Sequence, residues 1–114
     1  MSQGGARAPE RGDLVWLRVA PSEGHEQDGR HPALVLSPRR YNERTGLMLA
    51  CPVSNRVKGY PFEVALPEAA PLTGVVLADQ VRCVDWRERQ AEPIGRASDE
   101  VVHAVRGRLL RLLE

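Results

Sequence analysis

This sequence has little of what several common functions require. It holds only two cysteines, Cys51 and Cys83, with no C-x-x-C spacing. That excludes a disulfide framework and gives no zinc signature. Each cysteine sits inside an apolar run, so both are expected to be buried thiols in a reducing cytoplasm. The three histidines, His25, His31 and His103, are too scattered to make a metal triad. No G-x-x-x-x-G-K-[ST] or G-x-G-x-x-G occurs, which removes the nucleotide-loop signatures, and no G-x-S-x-G occurs, which leaves acyl transfer without an evident nucleophile. No apolar run approaches the roughly 20 residues of a membrane helix. The opening M-S-Q-G-G-A-R-A-P-E has no apolar secretory core and is expected to be a disordered tail over residues 1–10, with one domain over 11–114. Neither a metal nor a cofactor is called for.

An excess of charge of one sign is also missing, since the net charge is +1. Its distribution is uneven. Between residues 30 and 60 the basic residues are Arg30, Arg39, Arg40, Arg44, Arg56 and Lys58, and the one acid is Glu43. That locally basic third fits an anion-binding site, although a solvated Arg-rich surface would look the same.

What is present is a series of short apolar runs. G-D-L-V-W-L-R-V at 12–19 reads as a strand with Val15, Leu17 and Val19 as its core face. Residues 32–36 are apolar on both faces and should form a central strand. Residues 39–46 read as a short helical excursion closing on Gly46, and 47–53 as a third buried strand with a bulge or edge near Pro52. Further short strands are expected at 62–66, 74–77, 81–86 and within 87–94. Ser98 should cap a helix whose first turn holds Asp99 and Glu100, with Val101, Val102, Val105, Leu109 and Leu112 on its packing face. Gly107 inside that helix is expected to mark a close packing contact. The result is a mostly β antiparallel barrel or half-barrel with one C-terminal helix.

Two polar loops hold the candidate chemistry. G-H-E-Q-D-G-R-H at 24–31 carries Glu26, Gln27, Arg30 and His31 and runs straight into the central strand. S-N-R-V-K-G-Y-P at 54–61 carries Ser54, Asn55, Arg56, Lys58 and Tyr60. Such groups suffice to cleave a phosphodiester with a neighbouring 2′-hydroxyl. One takes the hydroxyl proton, another protonates the leaving oxygen, and cations hold the charge of the phosphorane. The second loop suits single-stranded RNA, with Tyr60 to stack a base and Arg56 and Lys58 to meet phosphates. Ser54 is equally readable as a turn former, and Tyr60 as a packed ring.

The blocks R-G-D-L-V-W-L (11–17), P-S-E-G-H-E-Q-D-G (21–29), P-A-L-V-L-S-P (32–38), Y-N-E-R-T-G (41–46), K-G-Y-P-F-E-V (58–64) and V-V-L-A-D-Q-V-R (75–82) carry a resemblance. The sequence resembles the MazF/PemK/Kid endoribonuclease toxins of type II toxin–antitoxin modules, and G-H-E-Q with the helix start is similar to the ChpB branch. The resemblance implies an SH3-like (CcdB/PemK-type) barrel, a homodimer binding RNA across its surface, and an acidic antitoxin of the MazE kind. It further implies metal-independent, sequence-specific mRNA cleavage leaving a 2′,3′-cyclic phosphate and a 5′-hydroxyl, in the cytoplasm. The family's loop carboxylate falls on Glu26 and its hydroxyl residue on Ser54; Gln27 and Asn55 join the RNA-binding set. The family's arginine before the proline falls on His31, preceded here by Arg30. Either His31 takes over as general acid or base, or the loop shifts to bring Arg30 in, or the nuclease is weakened. The alternative function is a non-catalytic CcdB-like toxin that binds DNA gyrase.

Overall fold

The structure, a computed structural model, describes residues 7–18 and 29–114. Strand β1 (Asp13–Arg18) pairs antiparallel with β2 (Arg30–Val35), and β2 with β3 (Leu47–Ser54). Helix α1 (Arg39–Thr45) bridges β2 and β3 and ends on Gly46, whose φ of 76° is the left-handed conformation that closes helices cheaply with glycine. Beyond β3 come β4 (Glu63–Ala65), β5 (Val75–Leu77), a single 3-10 turn (Ala78–Gln80), β6 (Arg82–Asp85) and β7 (Glu92–Arg96). The sheet runs β4-β5-β3-β2-β1-β7, with β6 also on β3. Strand β3 therefore passes from β6, at residues 47–50, to β5, at 53–54. Pro52, which donates no backbone hydrogen bond, falls in that changeover. The sheet curls like a barrel without closing, and helix α2 (Asp99–Leu113) packs on one side.

Curling buries both faces of the central strands. Leu14, Leu34, Cys51, Val53 and Val76 pack with Val101, Val102 and Val105 of α2. Val15, Leu17, Ala33, Val35, Met48, Ala50, Val84 and Trp86 form a second core inside the curl. The expectation of one core face on β1 is thus corrected: Leu14 is as buried as Val15 and Leu17, because α2 covers one side and the curled sheet the other.

Helix α2 begins as expected, with the Ser98 hydroxyl accepting the Val101 N–H at 3.2 Å. Its last turn departs from expectation, because it runs past the packed core and leaves Leu110, Leu112 and Leu113 exposed. Gly107 marks no close contact either; a Cβ there would meet nothing within 4 Å. Residues 86–91 form a turn before the last strand. The Asp85 carboxylate accepts the N–H groups of Arg87 and Glu88, which delays that strand to β7. Cys83 is exposed, contrary to expectation, since it alternates with buried Val84 and lies opposite exposed Leu49.

The expected tail over residues 1–10 is also too long. Ala8 is buried in the second core, and the Ala8 carbonyl and Glu10 carboxylate accept from Arg39 Nε and Arg39 N, each at 2.9 Å. Asn42, fully buried on α1, joins these parts. Its amide donates to the carbonyls of Pro9 and Ser37, its Oδ1 accepts from Ser37 Oγ at 2.6 Å, and its carbonyl accepts from Trp86 Nε1 at 2.7 Å.

Candidate active site

Strand alternation carries the site's geometry. In β2 the residues on the second-core face are His31, Ala33 and Val35; in β3 they are Met48, Ala50, Pro52 and Ser54. The two strands pair Val35 with Ala50 and Ala33 with Pro52. The same register carried two residues further sets His31 across from Ser54, where the second core opens to solvent. At that mouth lies a pocket of about 460 Å³ lined by Leu17, Ala33, Ala50 and Val84 at its base. Polar groups ring it, namely His31, Ser54, Asn55, Gln80, Arg82 and Arg89.

Arg82 belongs there because it pairs with Ala50 and alternates with Val84, which places it on the pocket side of β6. Arg89 is fixed by the turn after β6. Its backbone N–H donates to the Asp85 carbonyl at 3.0 Å, its carbonyl accepts Arg18 N at 2.8 Å, and its guanidinium donates to the Arg18 carbonyl at 3.3 Å. Among the described residues no carboxylate lines the pocket, while two guanidinium groups and an imidazole do. That charge balance suits an anion, and paired guanidinium groups suit phosphate oxygens.

Arg30 stands on the other face. Its guanidinium lies 4.7 Å from the centroid of the Trp16 ring and donates to Glu92 at 2.9 Å. The pairing explains this, since Trp16 faces Pro32 of β2 and Glu92 of β7, on the same side of the sheet as Arg30. The structure therefore separates the dipeptide, with His31 at the pocket and Arg30 clamped behind it.

The loop after β3 is held by its own hydrogen bonds. Ser54 Oγ accepts Arg56 N at 3.0 Å, so the turn-forming reading of Ser54 holds alongside its place in the pocket wall. The Glu63 carboxylate accepts the N–H groups of Lys58 and Gly59 at 2.9 and 2.8 Å. Arg108 Nε of α2 donates to the Pro61 carbonyl at 2.8 Å. Arg56 and Lys58 are exposed beyond the pocket, and Tyr60 is half-buried with its hydroxyl 3.5 Å from Asp79 Oδ1. Glu26 and Gln27 lie outside the described residues.

Sequence reasoning missed Gln80, Arg82 and Arg89. The alternation with Val84 could have found Arg82; nothing in the sequence marks Arg89, which reaches the pocket through a turn. Burial shifts one other group: Cys51, on the far face of β3, has its thiol pushed up to about 12, chiefly by desolvation and further by nearby Asp79. It is no nucleophile.

A family model of PemK-like, MazF-like toxins of type II toxin–antitoxin systems matches residues 10–113. The chain belongs to that family. It is 43% identical over 101 residues to the endoribonuclease toxin MazF of Escherichia coli, covering 89% of this chain and 90% of that protein. It is 42% identical over 110 residues to the endoribonuclease toxin ChpB of the same organism, covering 92% and 94%. Among solved structures, MazF of Deinococcus radiodurans superposes with a TM-score of 0.85 at 56% identity, covering 95% of this chain and 98% of that one. A MazE–MazF complex from the same organism matches with a TM-score of 0.84 at 52% identity, covering 95% and 97%. The PemK/MazF fold expected from the sequence is therefore the fold observed.

Proposed function

We propose that this PemK/MazF-family chain is the endoribonuclease toxin of a type II toxin–antitoxin pair, cutting single-stranded mRNA at the His31–Ser54 pocket. The observation that carries the reading is that pocket's composition, which brings an imidazole, a hydroxyl and two arginines into one lining. In the reaction the RNA 2′-hydroxyl loses its proton as O2′ attacks the adjacent phosphorus. The bond from phosphorus to the 5′-oxygen breaks, and that oxygen takes a proton. The ends are a 2′,3′-cyclic phosphate and a 5′-hydroxyl.

His31 is one of the two proton carriers, because imidazole gains and loses a proton most readily near neutral pH. Glu26, the family's loop carboxylate by resemblance, is the other. Arg82 and Arg89 meet the charge that develops on the phosphorane, and the Ser54 hydroxyl hydrogen-bonds a phosphate oxygen. Arg56, Lys58 and Tyr60 extend the RNA path along the loop, with Gln27 and Asn55 as further contacts. Arg30 supports the strand from behind.

The partner that restrains the toxin is an acidic antitoxin of the MazE kind, drawn to the same positive groove; the MazE–MazF complexes among the structural relatives support this. By resemblance the toxin is a homodimer, which a solution mass of twice the 12.6 kDa chain mass would bear out. No helix among the described residues is long and apolar enough to cross a membrane, and the RNA target places the action in the cytoplasm. The relatives are named endoribonucleases, which leaves the gyrase-binding alternative without support.

The test is incubation of the purified protein with mixed-sequence single-stranded RNA and EDTA, followed by analysis of the ends. Cyclic-phosphate and 5′-hydroxyl ends support the reading. Intact RNA, or 3′-hydroxyl ends, overturns it, and intact RNA together with inhibited gyrase would favour the alternative.

A further inference from the structure

The pocket wall after β3 rests on the strand behind it. Ser54 of β3 pairs with Val75 of β5, and the residues just before that partner are Thr73 and Gly74. Gly74 has a φ of 117°, a conformation that L side chains rarely adopt. A Cβ there would overlap the Ser54 carbonyl oxygen and come within 3.1 Å of Asn55 Oδ1. The backbone at 74 thus passes directly under the Ser54–Asn55 peptide, which only glycine permits. Beside it the Thr73 hydroxyl donates to Asn55 Oδ1 at 3.1 Å. Nothing else in the sequence marks Thr73, which lies 18 residues away from Asn55.

That hydrogen bond has a chemical consequence. A carboxamide has an acceptor end and a donor end, and which one faces a ligand depends on what holds the other. Here the oxygen is held, so the amide N–H groups are the end left to the pocket that Asn55 lines. We infer that Thr73 and Gly74 are positioning residues that fix Asn55 as a hydrogen-bond donor, making it a specificity-determining contact for an acceptor group of the bound RNA. This rests on the reading of the pocket as an RNA site. The acceptor is either a base-edge oxygen or ring nitrogen, or a phosphate oxygen, and the two sources differ in what they predict. A base contact specifies sequence, and a phosphate contact affects all sequences alike.

The test uses three variants of the full chain. Asn55→Asp keeps the shape and the acceptor for Thr73 but removes the donors. Thr73→Val removes the hydroxyl and leaves the amide free to turn. Thr73→Ser restores the hydroxyl and is the folding control. Each is assayed for cleavage of a randomised RNA pool with the cut sites mapped, and for binding to a 2′-O-methyl RNA pool, which cannot be cleaved through the 2′-oxygen.

Asn55→Asp should lose roughly ten- to hundred-fold in binding and in kcat/KM, mostly through KM. Thr73→Val should lose less, and Thr73→Ser should recover the unmodified values. A preference relaxed or changed at one nucleotide position identifies a base acceptor. A loss that is uniform across sequences identifies a phosphate. Binding and cut-site preference unchanged within two-fold in both Asn55→Asp and Thr73→Val overturn the inference while the nuclease reading stands. A folded Thr73→Val variant whose loss Thr73→Ser fails to recover also overturns it. An unmodified chain that neither cleaves nor binds RNA overturns the nuclease reading and this inference with it.

Discussion

Alanine at Arg30 and at His31, made separately, should give opposite phenotypes, although the two residues are neighbours. Arg30→Ala removes one ion pair with Glu92, whose side chains are 42% and 64% exposed, and one stacking contact over Trp16. An exposed ion pair contributes about 0.2–1 kcal/mol, and an exposed cation–π contact about 0.5–1 kcal/mol. The expected stability loss is therefore about 0.7–2 kcal/mol, with Tm lower by roughly 4–8 °C per kcal/mol for a domain of this size. Cleavage below that temperature should stay within a few-fold of the unmodified rate, because the guanidinium is on the face away from the pocket. His31→Ala removes the imidazole proposed above as a proton carrier, and kcat should fall by about 10²–10⁴-fold, equivalent to about 3–5.5 kcal/mol on the barrier, with little change in Tm. The assay pairs thermal unfolding with cleavage of a defined RNA. Abolished cleavage in a folded Arg30→Ala variant, with His31→Ala active, would refute the reasoning and mean that the loop turns Arg30 inward during catalysis. His31→Arg introduces the residue that the resemblance implies at this position, and a rate well above that of the unmodified chain would mark the natural enzyme as a weakened nuclease.

Asn42→Ala should cost about 3–5 kcal/mol in chemical denaturation, since it strands the buried Ser37 hydroxyl and the carbonyls of Pro9 and Ser37 and leaves a void; a loss under 1 kcal/mol would show that the hub is dispensable. Gly74→Ala should lower both Tm and cleavage, because the added Cβ displaces Ser54; unchanged cleavage would mean that the Ser54 position is not critical. One thiol, Cys83, should react with a soluble disulfide reagent in the native protein and a second, Cys51, only after unfolding, given its burial and its thiol pushed up to about 12. Glu10 is held below the usual carboxylate range by the N–H groups of Arg39 and Arg11. Its contribution is fully present above about pH 4.3, the ordinary Glu value, and is lost as pH falls through the folded one. Glu10→Gln should therefore flatten the acid side of the stability profile and leave its alkaline side alone.

Much of the fold is legible along the chain. The apolar runs at 12–19, 32–36 and 47–53 become β1, β2 and β3, the turn at Gly46 closes α1, and Ser98 caps α2 as its neighbours require. These are local matters, decided by side-chain period and by which N–H groups a nearby oxygen can reach. The misreadings are of a different kind. Leu14 looked surface-facing, Cys83 looked buried, and Ala8 looked like tail, because each depends on what another part of the chain lays over it. Burial is a property of two surfaces, and a run of residues shows only one of them.

The pocket divides the same way. The sequence by itself determined the family, the two polar loops, and the rule that Arg30 and His31 must point to opposite sides of β2. It could not say which side would be the pocket. That was decided by the curl of the sheet, which opens the second core beside His31 and Ser54, and by Trp16 and Glu92, which hold Arg30 on the outer face. Arg82, Arg89 and Thr73 enter for the same reason. They come from strands and turns remote in sequence, so their convergence follows from strand pairing rather than from any local pattern.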